Sequence, residues 1–321
     1  MDSIVRTVAD YALITKHSKR SSNPNWHRNS SGTSSRTDAS PELPFVVGSG
    51  LGRTGTHSLQ AALATLGYHS RFHMSEIMGR YVSPEPWFEL ARTERAAGVK
   101  NKTLALQAAQ SVIDQGYRAT TDYPCCLLYP EFLELTDGKV ILSVRSNASG
   151  WKKSILETLA VLPRPFFKPP FSLIYHTRQF AEVLDPWLWE RMGGIAEIGQ
   201  MDFPKESLHD YEHKLESAYT QWIETVKQQV PAEKLLVHHP QDGYPPLCEF
   251  LGIKEENCPK EDYPHLANTL ALKRATRVLE IVTETFWPVV GLLVLLMAFL
   301  IGRSLPCGLR KTTDLKTKKT R

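Results

Sequence analysis

The residues with the clearest chemical potential are nine in a row, Gly48-Ser-Gly-Leu-Gly-Arg-Thr-Gly-Thr56. A glycine loop between a strand and a helix offers backbone N–H groups and the positive end of a helix dipole, which together bind anions. Arg53 adds a fixed positive charge inside that nest, and the hydroxyls of Thr54, Thr56 and Ser58 can donate to phosphate oxygens. The chemistry indicated is recognition of a phosphorylated ligand. Gly50-Leu-Gly52-Arg-Thr-Gly55 satisfies the GxGxxG dinucleotide fingerprint, and Glu76 lies 21 residues beyond Gly55, near the spacing of a ribose-binding acid. Against that ligand, YHSRFHM before Glu76 makes a poor second strand, and Arg53 sits where backbone must approach the nucleotide. A nucleoside-triphosphate loop, GxxxxGK followed by Ser or Thr, fails because Val47 replaces its first glycine and Arg53 its lysine.

The elements around the loop fit an anion site. PFVVGSG reads as a short buried strand. Leu59, Ala62, Leu63 and Leu66 then recur at helical spacing, with Gly67 to close the helix. KVILSV, Lys139 to Val144, is a second core strand, followed by a helix from near Gly150 to Pro163, and KLLVHH, Lys234 to His239, is a third. Ser207 to Val230 carries one apolar stripe, Leu208, Tyr211, Leu215, Ala218, Trp222 and Val226, and Pro231 ends it. Pro245 to Ile253 and Leu266 to Ile281 read as further helices. The expected body is one α/β domain over 44–270 with a parallel sheet and helical insertions. Residues 1–43 form a polar segment with a short helix at Ser3 to Lys16 and eight serines between His17 and Pro41.

Three separated blocks carry a more specific signal. LPFVVGSGLGRTGTHSLQAALATLGYHSRFHM, GYRATTDYPCCLLYPEFLELTDGKVILSVRSNASGWKKSI and LLVHHPQDGYPPLCEFLGI, in that order, resemble the sulfotransferase-like family of P-loop proteins, over about 43–270. The resemblance implies a three-layer P-loop-type fold and 3'-phosphoadenosine 5'-phosphosulfate (PAPS) as sulfuryl donor. It assigns Gly52, Arg53, Thr54, Gly55 and Thr56 to the donor's 5'-phosphosulfate and Arg145 to its 3'-phosphate. A serine on the following helix completes that contact. The family pattern places this serine eight residues after the arginine in a V-R-D-P context. Here Val144-Arg145-Ser146-Asn147 is followed by Ser154 at nine, so either the loop absorbs a residue or Ser149 substitutes.

Sulfuryl transfer also requires a base for the acceptor's hydroxyl or amine. Asp122, in GYRATTDYP, and His73, in RFHM, are the two candidates, with a turn or capping role and a packing role as their respective alternatives. No metal is expected: His209 and His213 stand i, i+4, but in HDYEH rather than HExxH. Trp151, Trp187, Trp189 and Trp222 are expected chiefly as packing residues. The competing functions are an NAD(P)-dependent oxidoreductase and a noncatalytic, membrane-anchored nucleotide-binding module.

Charge and hydropathy divide the chain. Its net charge is +4, but Arg303 to Arg321 hold seven Lys/Arg and one acid, so the first 302 residues sum to −2 and nothing suggests nucleic acid. Between lies Phe286 to Gly302, 17 residues without a charge, about 25 Å of helix and at the short end for a membrane span. The expected organisation continues as a connecting helix 271–285, a transmembrane helix 286–302 and a basic tail 303–321. A buried core helix is the alternative for the apolar run. No signal peptide is apparent, so the body is expected in the cytosol, with a lipid-like alcohol as a reasonable acceptor. The oligomeric state is open. Five cysteines in an odd count suggest no paired framework and a reducing compartment, and the sequons at Asn29, Asn101 and Asn147 are read as incidental.

Overall fold

A computed structural model describes residues 43–79, 81–193, 208–266 and 269–304. The expected N-terminal helix, the serine-rich segment, Cys307 and the tail beyond Ser304 lie outside the described residues. Five parallel strands, β1 (Val46–Gly48), β2 (Arg71–Phe72), β3 (Ala119–Thr120), β4 (Lys139–Ser143) and β5 (Leu235–His238), form one sheet in the order β2-β3-β1-β4-β5. β1 pairs Val46 with Ala119 on one side and Lys139 on the other, so the strand before the glycine loop is central. It is buried throughout, as a strand covered on both faces must be.

The helices are α1 (Thr56–Thr65), α2 (Met74–Met78), α3 (Glu85–Ala97), α4 (Lys102–Asp114), α5 (Tyr129–Leu135), α6 (Ala148–Leu156), α7 (Tyr175–Gln179), α8 (Asp185–Gly193), α9 (Leu208–Gln229), α10 (Pro245–Leu251) and α11 (Thr269–Ser304). Two apolar clusters flank the sheet. The smaller joins Val46, Leu59, Leu63 and Ile141 to Leu247 and Leu251. The larger packs Val47, Val140 and Leu142 against Trp87, Phe132 and Trp151, and the α9 stripe, Leu215, Ala218, Trp222 and Val226, belongs to it. The three-layer α/β arrangement follows from alternate strand residues facing alternate clusters.

Several expectations need correction. YHSRFHM, rejected as a strand, supplies β2, and GYRATT supplies β3. Each is two residues long, too short for alternation to show, and each is held by its neighbour, as when Arg118 N–H donates to Ser70 O at 2.9 Å. The helix expected to reach Pro163 stops at Leu156. Thr158 Oγ1 donates to Ser154 O at 2.5 Å, and the chain continues in turns to a 3-10 turn at Arg164–Phe167. Cys248 and Cys258 are joined by a disulfide with Cα atoms 5.8 Å apart. Gly252, at φ 73°, ends α10 in the left-handed region, and Ile253 N–H returns to Cys248 O, which turns the chain back on itself. The pairing removes the cysteine count as an argument for a reducing compartment.

Residues expected as a connecting helix and an apolar span form the single helix α11, 36 residues long. Its stretch Thr269–Ile301 is long and apolar enough to cross a membrane by length and composition. None of its most apolar window is buried, so it is not the core helix of the alternative reading.

One ionic cluster ties the helical insertion to the body. Arg191 Nη1 lies 2.5 Å from Glu94 Oε1 and its Nη2 3.1 Å from Glu131 Oε1, with side-chain exposures of 5, 7 and 11%. Trp187 Nε1 donates to Glu94 at 2.7 Å. Removing the central cation leaves two buried carboxylates without it, a change that typically costs about 3–5 kcal/mol. Arg191→Ala should therefore lower the denaturant midpoint strongly, as read by circular dichroism; a loss below about 1 kcal/mol, the range of surface pairs, would contradict this.

Candidate active site

The glycine loop is built by close approach. A side chain at Gly50 would place its Cβ 1.9 Å from Ser143 Oγ and 2.6 Å from Ser143 O, so only glycine lets the loop cross the end of β4. Gly55, at φ 93°, caps α1 in the left-handed region. Three side chains hold the loop's carbonyls: Trp222 Nε1 donates to Ser49 O at 2.9 Å, Trp151 Nε1 to Gly52 O at 2.9 Å, and Arg145 Nε to Arg53 O at 2.8 Å. Because a trans peptide sets its N–H opposite its C=O, the N–H groups of Gly50 and Arg53 are fixed as well, while Thr54 N–H donates to Leu51 O at 3.2 Å. Trp151 is itself stacked on Tyr219, rings 4.6 Å apart at 15°. Two of the tryptophans expected as packing, Trp151 and Trp222, thus also carry the loop.

The site residues foreseen by sequence gather at the carboxyl ends of the strands, where open α/β sheets bind ligands. Arg53 follows β1 with φ 73°, a rare conformation for an arginine. Its Nε donates to Ser154 Oγ at 3.1 Å on α6, and its Nη2 to Thr269 Oγ1 at 2.5 Å, the first residue of α11. Burial, then the neighbouring Arg145, lower its pKa from the usual guanidinium value, and Asp122 opposes them. Arg145 follows β4. Besides the loop carbonyl, it donates through Nη1 to Gly150 O at 2.8 Å, and its backbone N–H donates to Tyr219 Oη at 2.8 Å. Of the two serines, Ser154 meets Arg53, whereas Ser149 is exposed and bonded to Glu216. Thr54 lies under the loop, donating to Leu51 O at 2.7 Å and 2.8 Å from Ser143 Oγ. Thr56 faces the cavity, with Oγ1 3.5 Å from His73 Nε2.

Asp122 and His73, considered separately from sequence, form one unit. His73 caps α2: its Nδ1 accepts Ser75 N–H at 3.1 Å, which leaves the imidazole proton on Nε2. Nε2 lies 3.1 Å from Asp122 Oδ2 and donates to it. Burial lowers the His73 pKa to about 3, so the ring stays neutral, while burial raises that of Asp122 to about 6, opposed by His57, a hydrogen bond from the Tyr123 backbone, and Arg53. Asp122 stands at φ 68° after β3, and its Oδ1 is buried without a hydrogen-bond partner among the described residues. An oriented, desolvated carboxylate with one open oxygen is a general base in form.

These groups open on a cavity of about 100 Å³. Arg53, His57, His73 and Asp122 are among its polar lining; much of the rest is apolar, from Leu159 and Phe166, Phe180 and Leu188, and Leu272 and Leu279. Sequence reasoning missed three contributors. His57, whose ring lies 4.0 Å from that of His73, was signalled only by its place in the first turn after the loop. Asp185 is buried beyond a π-helical turn, Phe180–Leu184, accepts from Trp189 Nε1 at 3.3 Å, and has a pKa raised by burial to about 7. The third is the start of α11, which sequence assigned to a connector.

The dinucleotide reading fails on topology. That fold places β2 beside β1, with its ribose-binding acid at the end of β2. Here β3 separates the two strands, and Glu76 lies inside α2, accepting from Tyr117 Oη at 3.4 Å. Among the described residues no group of three or more His, Cys, Asp or Glu could hold a metal ion.

Comparison with known proteins agrees with the extent of the α/β body. A family model described as a sulfotransferase domain matches residues 45–271. The Ava biosynthesis cluster protein M of Aspergillus versicolor is 27% identical over 239 residues, covering 74% of this chain and 84% of that protein.

The geometry makes a titration prediction. Asp122 should take up its proton with a midpoint near 6 in carboxyl-carbon NMR, identified by its absence in Asp122→Asn. His73→Ala removes the donor to the charged form and should move that midpoint upward. An Asp122 midpoint near 4, or no change in the variant, would refute the coupled pair.

Proposed function

Because the chain belongs to the sulfotransferase-domain family, we propose that it transfers a sulfuryl group from PAPS to a hydroxyl or amine, with Asp122 as the general base. The observation that carries this reading is the open, buried Oδ1 of Asp122, in one cavity with Arg53 and held from its other oxygen by neutral His73.

The glycine loop, Gly52 to Thr56, and the N-terminus of α1 receive the donor's 5'-phosphosulfate as a phosphate loop. Arg145 and Ser154 receive its 3'-phosphate. Fixed N–H groups, two arginines and a cradle too tight for any side chain at Gly50 suit an anionic ligand. The donor supplies an activated sulfuryl group. In the transfer, the acceptor oxygen or nitrogen bonds to sulfur while the sulfur's bond to the bridging phosphate oxygen breaks. The acceptor proton passes to Asp122 Oδ1, and the negative charge left on the departing phosphate falls to Arg53 and the loop amides. Such preorganised donors are each worth about 3 kcal/mol in comparable sites. His73 acts as a positioning residue, fixing the carboxylate without changing its own charge.

α11 anchors the domain in a membrane. Val289, Leu292, Leu295 and Phe299 are all more than half exposed, and water is a poor environment for so many large apolar side chains. Slight snorkelling of Arg303 closes the gap between about 25 Å of apolar helix and a ~30 Å core.

Calorimetry on the full chain in detergent with 3'-phosphoadenosine 5'-phosphate tests the donor site. Binding is expected, weakened about 10- to 100-fold in both Arg53→Ala and Arg145→Ala, as for the loss of a charged hydrogen bond. Binding of NAD(H) in place of this nucleotide, or full affinity in both variants, would refute the assignment.

A further inference from the structure

The helix that carries the apolar run is also a wall of the cavity. α11 starts with the Thr269 hydroxyl on Arg53, and Leu272, Ala275 and Leu279 then line the cavity one turn after another. The opposite side of this segment is charged and paired: Lys273 with Glu157, and Arg277 with Glu280 and Glu284. Beyond Glu284 the two-sided pattern ends, and large apolar residues are exposed from Val289 to Ile301. The helix is unbroken across this change.

Helix rise turns that order into distances. Thr269 to Leu279 spans ten residues, about 15 Å, and Leu279 to Phe286 seven, about 10 Å. The polar end of the cavity therefore lies near the start of α11, and its apolar wall runs toward the membrane segment. The gap from Leu279 to the apolar run exceeds the depth of one headgroup layer, roughly 5–8 Å, by only a few ångströms. Leu159, Leu162 and Phe166, on the turns that replace the expected end of α6, line the same cavity, and the 3-10 turn Arg164–Phe167 packs directly against α11.

We infer that the acceptor is a membrane-partitioned amphiphile, an alcohol or amine on a long apolar body, which enters from the bilayer by parting the packed seam between α11 and the segment 159–166. This rests on the sulfuryl-transfer reading and names the substrate class of that site. The reacting group leads toward Asp122 and the apolar body lies along Leu272, Ala275 and Leu279, in the order of polarity of the cavity itself. A hydrophilic sugar would set its remaining hydroxyls against this apolar wall without partners, an unfavourable desolvation. A long-chain alcohol would extend the apolar burial that the wall already provides.

The test is photolabelling of the full chain in phosphatidylcholine vesicles with a diazirine-bearing hexadecanol, mapped by peptide mass spectrometry. Labels are expected in 159–166 and 272–279 as well as in 286–301. Ala275→Trp, and Met78→Trp from α2 should the first variant not fold, fill the cavity and should reduce labelling of 159–166 severalfold while 286–301 stays labelled. Labels confined to 286–301, no labels at all, or undiminished labelling of 159–166 in a folded variant would overturn the inference. Affinity for 3'-phosphoadenosine 5'-phosphate on the same preparations separates the two readings. Nucleotide binding without labels in 159–166 removes only the bilayer route, whereas labels without nucleotide binding remove the acceptor assignment together with the donor reading.

Discussion

The site depends on the orientation of a few peptide planes between Ser49 and Thr54. Glycine makes that segment permissive, and permissiveness alone would let its amides face any direction. Trp222, Trp151 and Arg145 restrict it by taking the carbonyls of Ser49, Gly52 and Arg53. Their elements are otherwise distant in sequence: α9, α6 and the end of β4 converge on one loop. The α9 stripe and the stacking of Trp151 on Tyr219 thus hold the loop as well as the core. Preorganisation of this kind matters because amides that must reorient during a reaction lose much of their electrostatic advantage.

The same region holds structure that is unfavourable when considered alone. Arg53 and Asp122 are the two non-glycine residues with positive φ among the described residues, and strain of this type costs of order 1–3 kcal/mol each. Asp122 is buried with one oxygen unsatisfied. His73 is buried beside it in a form that cannot take up charge near neutrality. The surrounding core has to offset these costs, and the apolar clusters on the two faces of the sheet are where that stability resides.

Local patterns made much of this legible in advance. The loop, α1, β4, β5 and α9 each announce themselves through spacing, a run of β-branched residues or a stop signal. What stayed hidden depends on contacts between distant segments. β2 and β3 are too short to show a period and exist because neighbours pair with them. Cys248 and Cys258 look unpaired until Gly252 turns the chain. Asp122 and His73 were each visible as candidates, but that they pair, and that His73 is the donor in the pair, follows from the Nδ1 bond to Ser75, which no motif encodes. His57, Asp185 and the wall formed by α11 enter the site through packing alone.

The path from loop to apolar run is physically continuous: Arg53 belongs to the loop, its guanidinium meets Thr269, and Thr269 begins the helix that ends in the apolar run. The central claim, that Asp122 drives sulfuryl transfer at this loop, is tested most directly by transfer itself. The full chain in vesicles containing long-chain alcohols would be given PAPS radiolabelled in its sulfuryl group. The account predicts label in the lipid fraction, reduced about 10²- to 10⁴-fold in Asp122→Asn with nucleotide affinity retained, and a rate that falls as pH drops through 6 because the base becomes protonated. Transfer at the full rate in Asp122→Asn would contradict it.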